Sequence, residues 1–143
     1  MNISYKFFYI NNLTYKFDQN NGFDVNKFSE AYNFNIKSTV VNVNRNNSAA
    51  LIELEIALDT KLESIGKTFR SLSFDFYYGY QMEDFEELSD EDIQNFIIEN
   101  GLASAVSAIK DVVKNITSID YQPTINIDIP KFPISTSKQV EDN

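Results

Sequence analysis

The residues of this chain that could carry out chemistry are carboxylates, and they are concentrated in one short segment. Residues 83–92 read EDFEELSDED, and closely spaced carboxylates can catalyse acid–base reactions or bind Ca²⁺. The segment lacks the alternating Asp or Asn positions and the glycine of an EF-hand loop, so we expect a solvated helix start or a docking patch for a basic partner. This acidic patch comprises Glu83, Asp84, Glu86, Glu87, Asp90, Glu91 and Asp92.

The sequence lacks the residues on which other common kinds of catalysis depend. The 143 residues include no cysteine and no histidine, which excludes thiol catalysis, histidine triads and metal sites built from thiolates or imidazoles. Arg45 and Arg70 are the two arginines, too few for a phosphate clamp. We therefore expect a protein that is not an enzyme and that uses no cofactor or metal.

Charge and hydropathy restrict the partners of the chain. A net charge of −9 repels nucleic-acid backbones and anionic lipid headgroups, so neither is an expected partner. No apolar run approaches the roughly 18 residues that span a membrane. The N-terminal sequence MNISYKFFYINN has neither the basic start nor the apolar run of a secretory signal. The sequence thus predicts a cytoplasmic protein without membrane insertion.

The first half of the chain has the period-two pattern of β-strands. In residues 3–17, apolar side chains occupy odd positions, which predicts a strand with one buried face. Phe8 and Ile10 break this pattern, so we expect them on the opposite face, either as an interface or as isolated surface hydrophobics. Residues 18–32 are predicted to be a long connection.

Three further strands are predicted at residues 33–44, 48–59 and 68–80. Within the first of these strands, the apolar residues switch from even-numbered to odd-numbered positions, which indicates a β-bulge near Ser38–Val40. The polar run at residues 44–47 is typical of a hairpin turn. Because consecutive strands have short links, we expect an antiparallel meander.

The second half of the chain is predicted to be largely helical. A short helix begins near Ser89, which resembles an N-cap, and is interrupted at Asn100–Gly101. A longer amphipathic helix follows over residues 102–116. Residues 125–129 are predicted to form a short extended segment, and residues 131–143 a flexible tail. The fold class is therefore α+β, with helices on one face of an antiparallel sheet.

The order of elements and several local patterns resemble the SecB-type export chaperones and their SecB-like relatives. The resemblance covers residues 3–129. Its strands read YKFFYINNLTYKF, SAALIELEIALD and FRSLSFDFYYGY. Its short and long helices read EELSDEDIQNFIIE and LASAVSAIKDVVKNIT, with the break NG between them, and the extended segment that follows reads YQPTINI. It implies a SecB-like four-stranded antiparallel sheet with helices packed on one face, in a single domain of residues 1–130.

The resemblance also implies a function. SecB-like chaperones hold non-native polypeptides without ATP, so the implied partner is an unfolded or extended client, such as an exported protein or an antitoxin, bound by a homo-oligomer (dimer or tetramer). The acidic residues with which the family docks on the translocation motor correspond here to Asn12 and Lys16, which argues against that docking. The candidate client-binding residues are Phe23, Phe28, Tyr32, Tyr78, Tyr80, Met82 and Phe85.

Two other functional classes remain open from the sequence. One is a structural or assembly protein on the same fold with one dedicated protein partner, for example a phage-encoded protein. The other is a small-ligand binder or enzyme with a pocket between sheet and helix. Broad affinity for unfolded chains would distinguish the chaperone from the first alternative, and a co-purifying ligand would indicate the second.

Overall fold

Four β-strands and one α-helix make up the part of the chain that the computed structural model describes, residues 1–17, 30–62 and 67–118. The predicted segments 125–129 and 131–143 and the residues Phe23 and Phe28 lie outside this part. The elements are β1 (Asn2–Phe17), β2 (Glu30–Asn44), β3 (Ala49–Leu62), β4 (Lys67–Glu83) and α1 (Asp90–Thr117).

The strands form one antiparallel sheet in the order β1-β4-β3-β2. Strands β2, β3 and β4 form a meander, and the predicted hairpin turn links the first two. Strand β1 lies beside β4 and not beside β2, in an arrangement of the Greek-key type. Strands β1 and β2 consequently lie at opposite edges of the sheet.

The core lies between α1 and one face of the sheet, which we call the helix face; the other is the open face. Even-numbered side chains of β3 and β4, such as Ile52 and Phe76, are buried, which confirms the alternation predicted for both strands. In β2 the register shifts between Ile36 and Ser38, next to the predicted bulge. The fully buried apolar residues that α1 contributes are Ile93, Ile97, Ala105, Ile109 and Val113.

Helix α1 is continuous, whereas the sequence predicted two helices separated at Asn100–Gly101. Its N-cap is Ser89, as predicted, and the Ser89 hydroxyl accepts a hydrogen bond from the Asp92 amide at 3.1 Å. Gly101 is needed for a close approach, because a Cβ there would lie 2.8 Å from the Tyr80 ring. The predicted break was wrong because this glycine makes room for a side chain of the sheet.

Strand β1 changes phase twice, at register shifts between Tyr5 and Phe7 and between Asn11 and Thr14. The prediction that the odd-numbered side chains of residues 3–17 all lie on one buried face was therefore wrong. The pairs that fix the faces are Phe8 opposite Tyr78, Ile10 opposite Phe76, Phe7 opposite Gly79 and Tyr9 opposite Tyr77. Phe8 and Ile10 thus lie on the helix face, whereas Phe7 and Tyr9 lie on the open face.

Candidate functional site

Among the residues that the structure describes, five large hydrophobic side chains are exposed, and all five lie on β1. The exposed fraction is 54% for Tyr5, 41% for Phe7, 44% for Phe8, and 46% for Tyr9 and for Leu13. Natural edge strands are normally short, charged or covered, so a strand of 16 residues with exposed aromatics is a candidate interaction surface. We call Tyr5, Phe7, Phe8 and Tyr9 the aromatic edge.

The edge of β1 has backbone groups available as well as side chains. Among the strands in the described part of the chain, β1 pairs only with β4. The other side of β1 therefore presents amide and carbonyl groups that no described strand satisfies, and an extended polypeptide could pair with them.

The helix-face half of the aromatic edge continues the core beyond the helix. Helix α1 lies over β2 and β3, so it leaves Tyr5 and Phe8 uncovered. The Tyr5 ring lies 5.0 Å from that of Tyr78, and the Phe8 ring lies 5.6 Å from that of Phe76. Phe76 and Tyr78 are buried, so the exposed rings rest on a fixed aromatic layer.

The open-face half is a stack of three rings. The ring centroids of Phe7 and Tyr9 are 5.9 Å apart, and those of Tyr9 and Tyr77 are 4.5 Å apart, with nearly parallel planes in both pairs. The Phe7 ring lies against Gly79, where a Cβ would be 2.8 Å from it. Glycine at this position therefore allows Phe7 to lie against the strand.

Carboxylates border the open-face stack. The Asp75 carboxylate accepts a hydrogen bond from the side-chain amide of Asn12 at 2.7 Å. Desolvation raises the pKa of the Tyr77 phenol, and the charges of Asp75 and Glu53 raise this pKa further. The phenol thus remains protonated at physiological pH and can donate a hydrogen bond to a bound backbone carbonyl.

A groove leads from the aromatic edge along the open face towards the β2–β3 turn. It has a volume of about 720 Å³, and its apolar lining includes Phe7 and Leu51. Asn42 and Asn44 supply amide groups in the same groove, and the Asn42 amide donates to the Glu53 carboxylate. An extended segment held at β1 could therefore place a side chain in this groove.

Four of the predicted client-binding residues are buried, namely Tyr78, Tyr80, Met82 and Phe85. Tyr78 contacts the aromatic edge through Tyr5 and Phe8, so it supports that surface from below. Burial is also the main cause that raises the pKa values of Tyr78 and Tyr80. Tyr32 belongs to β2, but its side chain lies outside the described residues. A role of these residues in client binding stays a prediction.

The acidic patch is exposed at all seven of its carboxylates. Asp90 pairs with the Arg45 guanidinium at 2.7 Å, and Arg45 also donates to the Leu88 carbonyl, so this contact ties the β2–β3 turn to the start of α1. Within residues 1–17, 30–62 and 67–118, no cluster of side chains could hold a metal ion, and no helix is long and apolar enough to cross a membrane. Docking of a basic partner on this patch stays a prediction.

The client-binding residues predicted from the sequence include none of the aromatic edge, although Phe8 was considered as part of an interface and a signal for the edge was present. The consecutive apolar residues Phe7, Phe8, Tyr9 and Ile10 cannot all point to one face of a strand. The phase change at Lys6 could not be read from the sequence, and it is this change that distributes the aromatics evenly over both faces.

No protein-family model matches the chain, and neither does any curated protein sequence. Among solved structures, the chain is similar to the SecB-like chaperone Rv1957 of Mycobacterium tuberculosis, which was solved in complex with a ChAD peptide from the Rv1956 HigA1 antitoxin. The TM-score is 0.72 at 11% sequence identity, over 92% of this chain and 93% of that chain. The chain has the SecB-like fold. This confirms the predicted fold class.

A second solved structure, a protein from Streptococcus agalactiae, has 14% identity over 90% of this chain and 98% of that chain. Its TM-score of 0.37 is too low to support any inference. A shared SecB-like fold does not by itself establish activity, so the function must be argued from the aromatic edge.

Proposed function

We propose that this protein binds extended, non-native polypeptide segments without ATP, and that the aromatic edge is its main contact surface. The observation that carries the proposal is that all five exposed large hydrophobic side chains in the described part of the chain lie on one edge strand. A non-native chain offers unpaired backbone groups and apolar side chains. The edge of β1 offers complementary backbone groups, and its aromatics offer large apolar area with few rotatable bonds.

Two further observations support this proposal. The SecB-like chaperone Rv1957 was solved with a peptide from an antitoxin, which favours a polypeptide as the ligand of this fold. The net charge of −9 repels other copies of a loaded complex and so keeps it in solution.

The proposal includes a homo-oligomer, either a dimer or a tetramer, because neighbouring exposed aromatics on one strand are typical of protein–protein contact surfaces. It does not include docking on the translocation motor. Asn12 and Lys16, the positions that correspond to the acidic docking residues of SecB-type chaperones, are exposed on β1 but carry no negative charge.

Light scattering tests the proposal directly. A chemically unfolded, aggregation-prone protein is diluted with and without this protein, and suppression of scattering is expected at near-stoichiometric oligomer. The double variant Phe8→Ser/Tyr9→Ser, which removes one exposed ring from each face, should lose most of the suppression. Leu13→Ser is the matched control, because Leu13 is equally exposed on the same strand but lies outside the aromatic edge.

An inert acidic protein of equal charge controls for non-specific solubilisation. Wild-type protein that does not suppress scattering, or a folded double variant that suppresses it fully, contradicts the proposal. In the first case a single dedicated partner becomes the better explanation, and a pull-down with the wild-type protein and the double variant would identify it.

A further inference from the structure

We infer that the groove of about 720 Å³ on the open face is a separate site for one aromatic residue of a polypeptide, held by its ring and by its own peptide group. We call it the open-face groove. The inference rests on the proposed function for the class of its ligand. It does not require any strand to pair with the edge of β1, because the groove is built from side chains on a face of the sheet.

The apolar part of the open-face groove lies in one row of residues across the four strands. Phe7 pairs with Gly79, Gly79 pairs with Leu51, and Leu51 pairs with Asn42. Because Gly79 has no side chain, the Phe7 ring lies against it and faces the space above Leu51. An aromatic ring in this space would bury apolar surface against both side chains, and the volume is within the range of about 300–1,000 Å³ that is typical of ligand sites.

Two asparagines of β2 form the polar wall of the groove, and one end of each side-chain amide is already engaged. The Asn42 Nδ2 donates to the Glu53 carboxylate, which can only accept, so the Asn42 Oδ1 is left as an acceptor. The Asn44 Oδ1 accepts from the Asn47 backbone amide at 3.2 Å, so the Asn44 Nδ2 is left as a donor. Asn42 and Asn44 both line the groove. The wall therefore presents one acceptor and one donor, which match the N–H and the C=O of a peptide group.

The charged residues that line the groove pair with each other. The Arg45 Nε donates to the Asp90 carboxylate at 2.7 Å, and Arg45 also donates to the Leu88 carbonyl oxygen. Neither charge therefore needs a ligand of opposite sign. A neutral ligand such as a residue within a polypeptide fits this lining better than a free acid or a free amine, whose charge would lose its hydration there.

The turn that ends the groove is held in place by the rest of the protein. The Ser48 carbonyl oxygen accepts hydrogen bonds from the Met82 backbone amide at 2.7 Å and from the Gln81 side-chain amide at 2.9 Å. Arg45 ties the same turn to the start of α1. The position of Asn44 next to this turn is therefore fixed before a ligand binds, so that binding requires little ordering of the protein.

NMR spectroscopy of the full chain, labelled with ¹⁵N, tests the inference. The probe is N-acetyl-L-phenylalaninamide, a single aromatic residue with a peptide group on each side. Saturable shifts are expected at the amides of residues 42–51 and of Gly79, with a Kd of about 1 mM because the ligand is small. N-acetyl-L-alaninamide lacks the ring, and benzyl acetate keeps a ring but has no N–H. Each should bind about fivefold to tenfold more weakly.

Asn44→Asp tests the polar wall. Aspartate keeps an oxygen that accepts from the Asn47 amide, but it replaces the donor with a second acceptor. The variant should bind the phenylalanine compound about fivefold more weakly or worse. Asn47→Asp is the matched control, because it adds the same charge to the same turn at an exposed position that does not line the groove. It should retain the wild-type affinity.

Several results would overturn the inference. They are the absence of saturable shifts, shifts centred on other residues, equal affinities of wild type and Asn44→Asp, and equal affinities for the phenylalanine and alanine compounds. Shifts at residues 42–51 that depend on the concentration of the protein alone would assign the groove to a second copy and also overturn it. Normal suppression of scattering in a protein that fails to bind the probe leaves the proposed function intact. Binding of the probe without suppression of scattering supports the site and contradicts the proposed function.

Discussion

Tyr80 of β4 lies against Gly101 in the middle of α1, and its hydroxyl donates a hydrogen bond to the Gly101 carbonyl oxygen. Both residues are buried, so this contact fixes where the helix lies on the sheet. Glycine in a helix interior normally lowers stability by about 1 kcal/mol relative to alanine. Here the absence of a side chain is what allows the close approach of the Tyr80 ring.

Gly101→Ala should therefore destabilise the protein despite its better helix propensity. A Cβ 2.8 Å from the ring forces a shift in the core, with an expected loss of about 1–3 kcal/mol in the free energy of unfolding measured with urea. Asn100→Ala, at the exposed neighbouring position, should change stability by about 0.5 kcal/mol or less. If Gly101→Ala were more stable than the wild type, the close contact with Tyr80 would be refuted.

Gly79→Ala should have a smaller effect on stability and a larger effect on binding. A Cβ at Gly79 would also lie 2.8 Å from a ring, but that ring belongs to Phe7, which is half-exposed and can move into solvent. We expect a loss of about 1 kcal/mol or less in urea unfolding. We also expect weaker suppression of client aggregation in the light-scattering assay, because a Cβ at this position displaces the Phe7 ring from Gly79. Unchanged suppression of scattering by a folded variant would contradict this expectation.

Alkaline pH should destabilise the protein through Tyr80. Burial raises the pKa of Tyr80 above its ordinary value of 10.0, so below that pH both the folded and the unfolded chain hold the proton. Above pH 10.0 the unfolded chain loses the proton while the folded chain retains it, and the free energy of unfolding falls as the pH rises. The pKa values of Tyr77 and Tyr78 shift in the same direction, so they add to this loss.

Tyr80→Phe tests this pH dependence. It should lower stability by about 1 kcal/mol at neutral pH, because the hydrogen bond to Gly101 is lost. It should also make the decline above pH 10.0 shallower, as measured by urea midpoints between neutral and alkaline pH. Tyr9→Phe, at an exposed position, controls for the removal of a hydroxyl. A decline of equal slope in wild type and Tyr80→Phe would exclude Tyr80 as its cause.

Ser89→Ala should weaken the start of α1. The Ser89 hydroxyl satisfies the Asp92 amide, and loss of such a cap costs about 1 kcal/mol. Ser89→Asp should keep most of the stability, because an aspartate side chain caps equally well. Ser107→Ala, at an exposed position within the helix, should be neutral or slightly stabilising in the same urea unfolding measurement. Equal stability of Ser89→Ala and the wild type would show that this cap makes no contribution.

The strands with one buried face could be predicted from the sequence, and β1 could not. In β3 and β4, residues such as Ile52 and Phe74 alternate with polar side chains, because one face meets the core and the other meets solvent. In β1 neither face is fully covered, and the register shifts twice. Whether a residue number is odd or even therefore no longer indicates which side chains are buried. A β-bulge depends on how a strand pairs with its partner strand. The spacing of apolar residues along one strand does not reveal this pairing.

The helix and the site show the same limit. Glycine often ends a helix, but Gly101 lies within α1. Its contact with Tyr80 explains why a glycine is present there. Tyr78 and Tyr80 belong to the alternating pattern that defines the core, so the same pattern could not also identify them as exposed binding residues. Exposure of Tyr5 and Phe8 on the helix face follows from the helix lying over β2 and β3, which is a property of the packing between elements.

The strand order has a consequence for the assembly of the chain itself. Strands β2, β3 and β4 each pair with a strand that is next to them in the sequence. Strand β1 pairs with β4, which is distant in the sequence, so β1 cannot join the sheet until β4 is present. A ribosome therefore releases the sequence KFFYI long before the strand that receives it has been made. During that interval the nascent β1 is itself an unpaired apolar segment, the kind of ligand that the finished protein is proposed to hold. Copies already folded would then assist the folding of new ones, and the yield of native protein would rise with its own concentration.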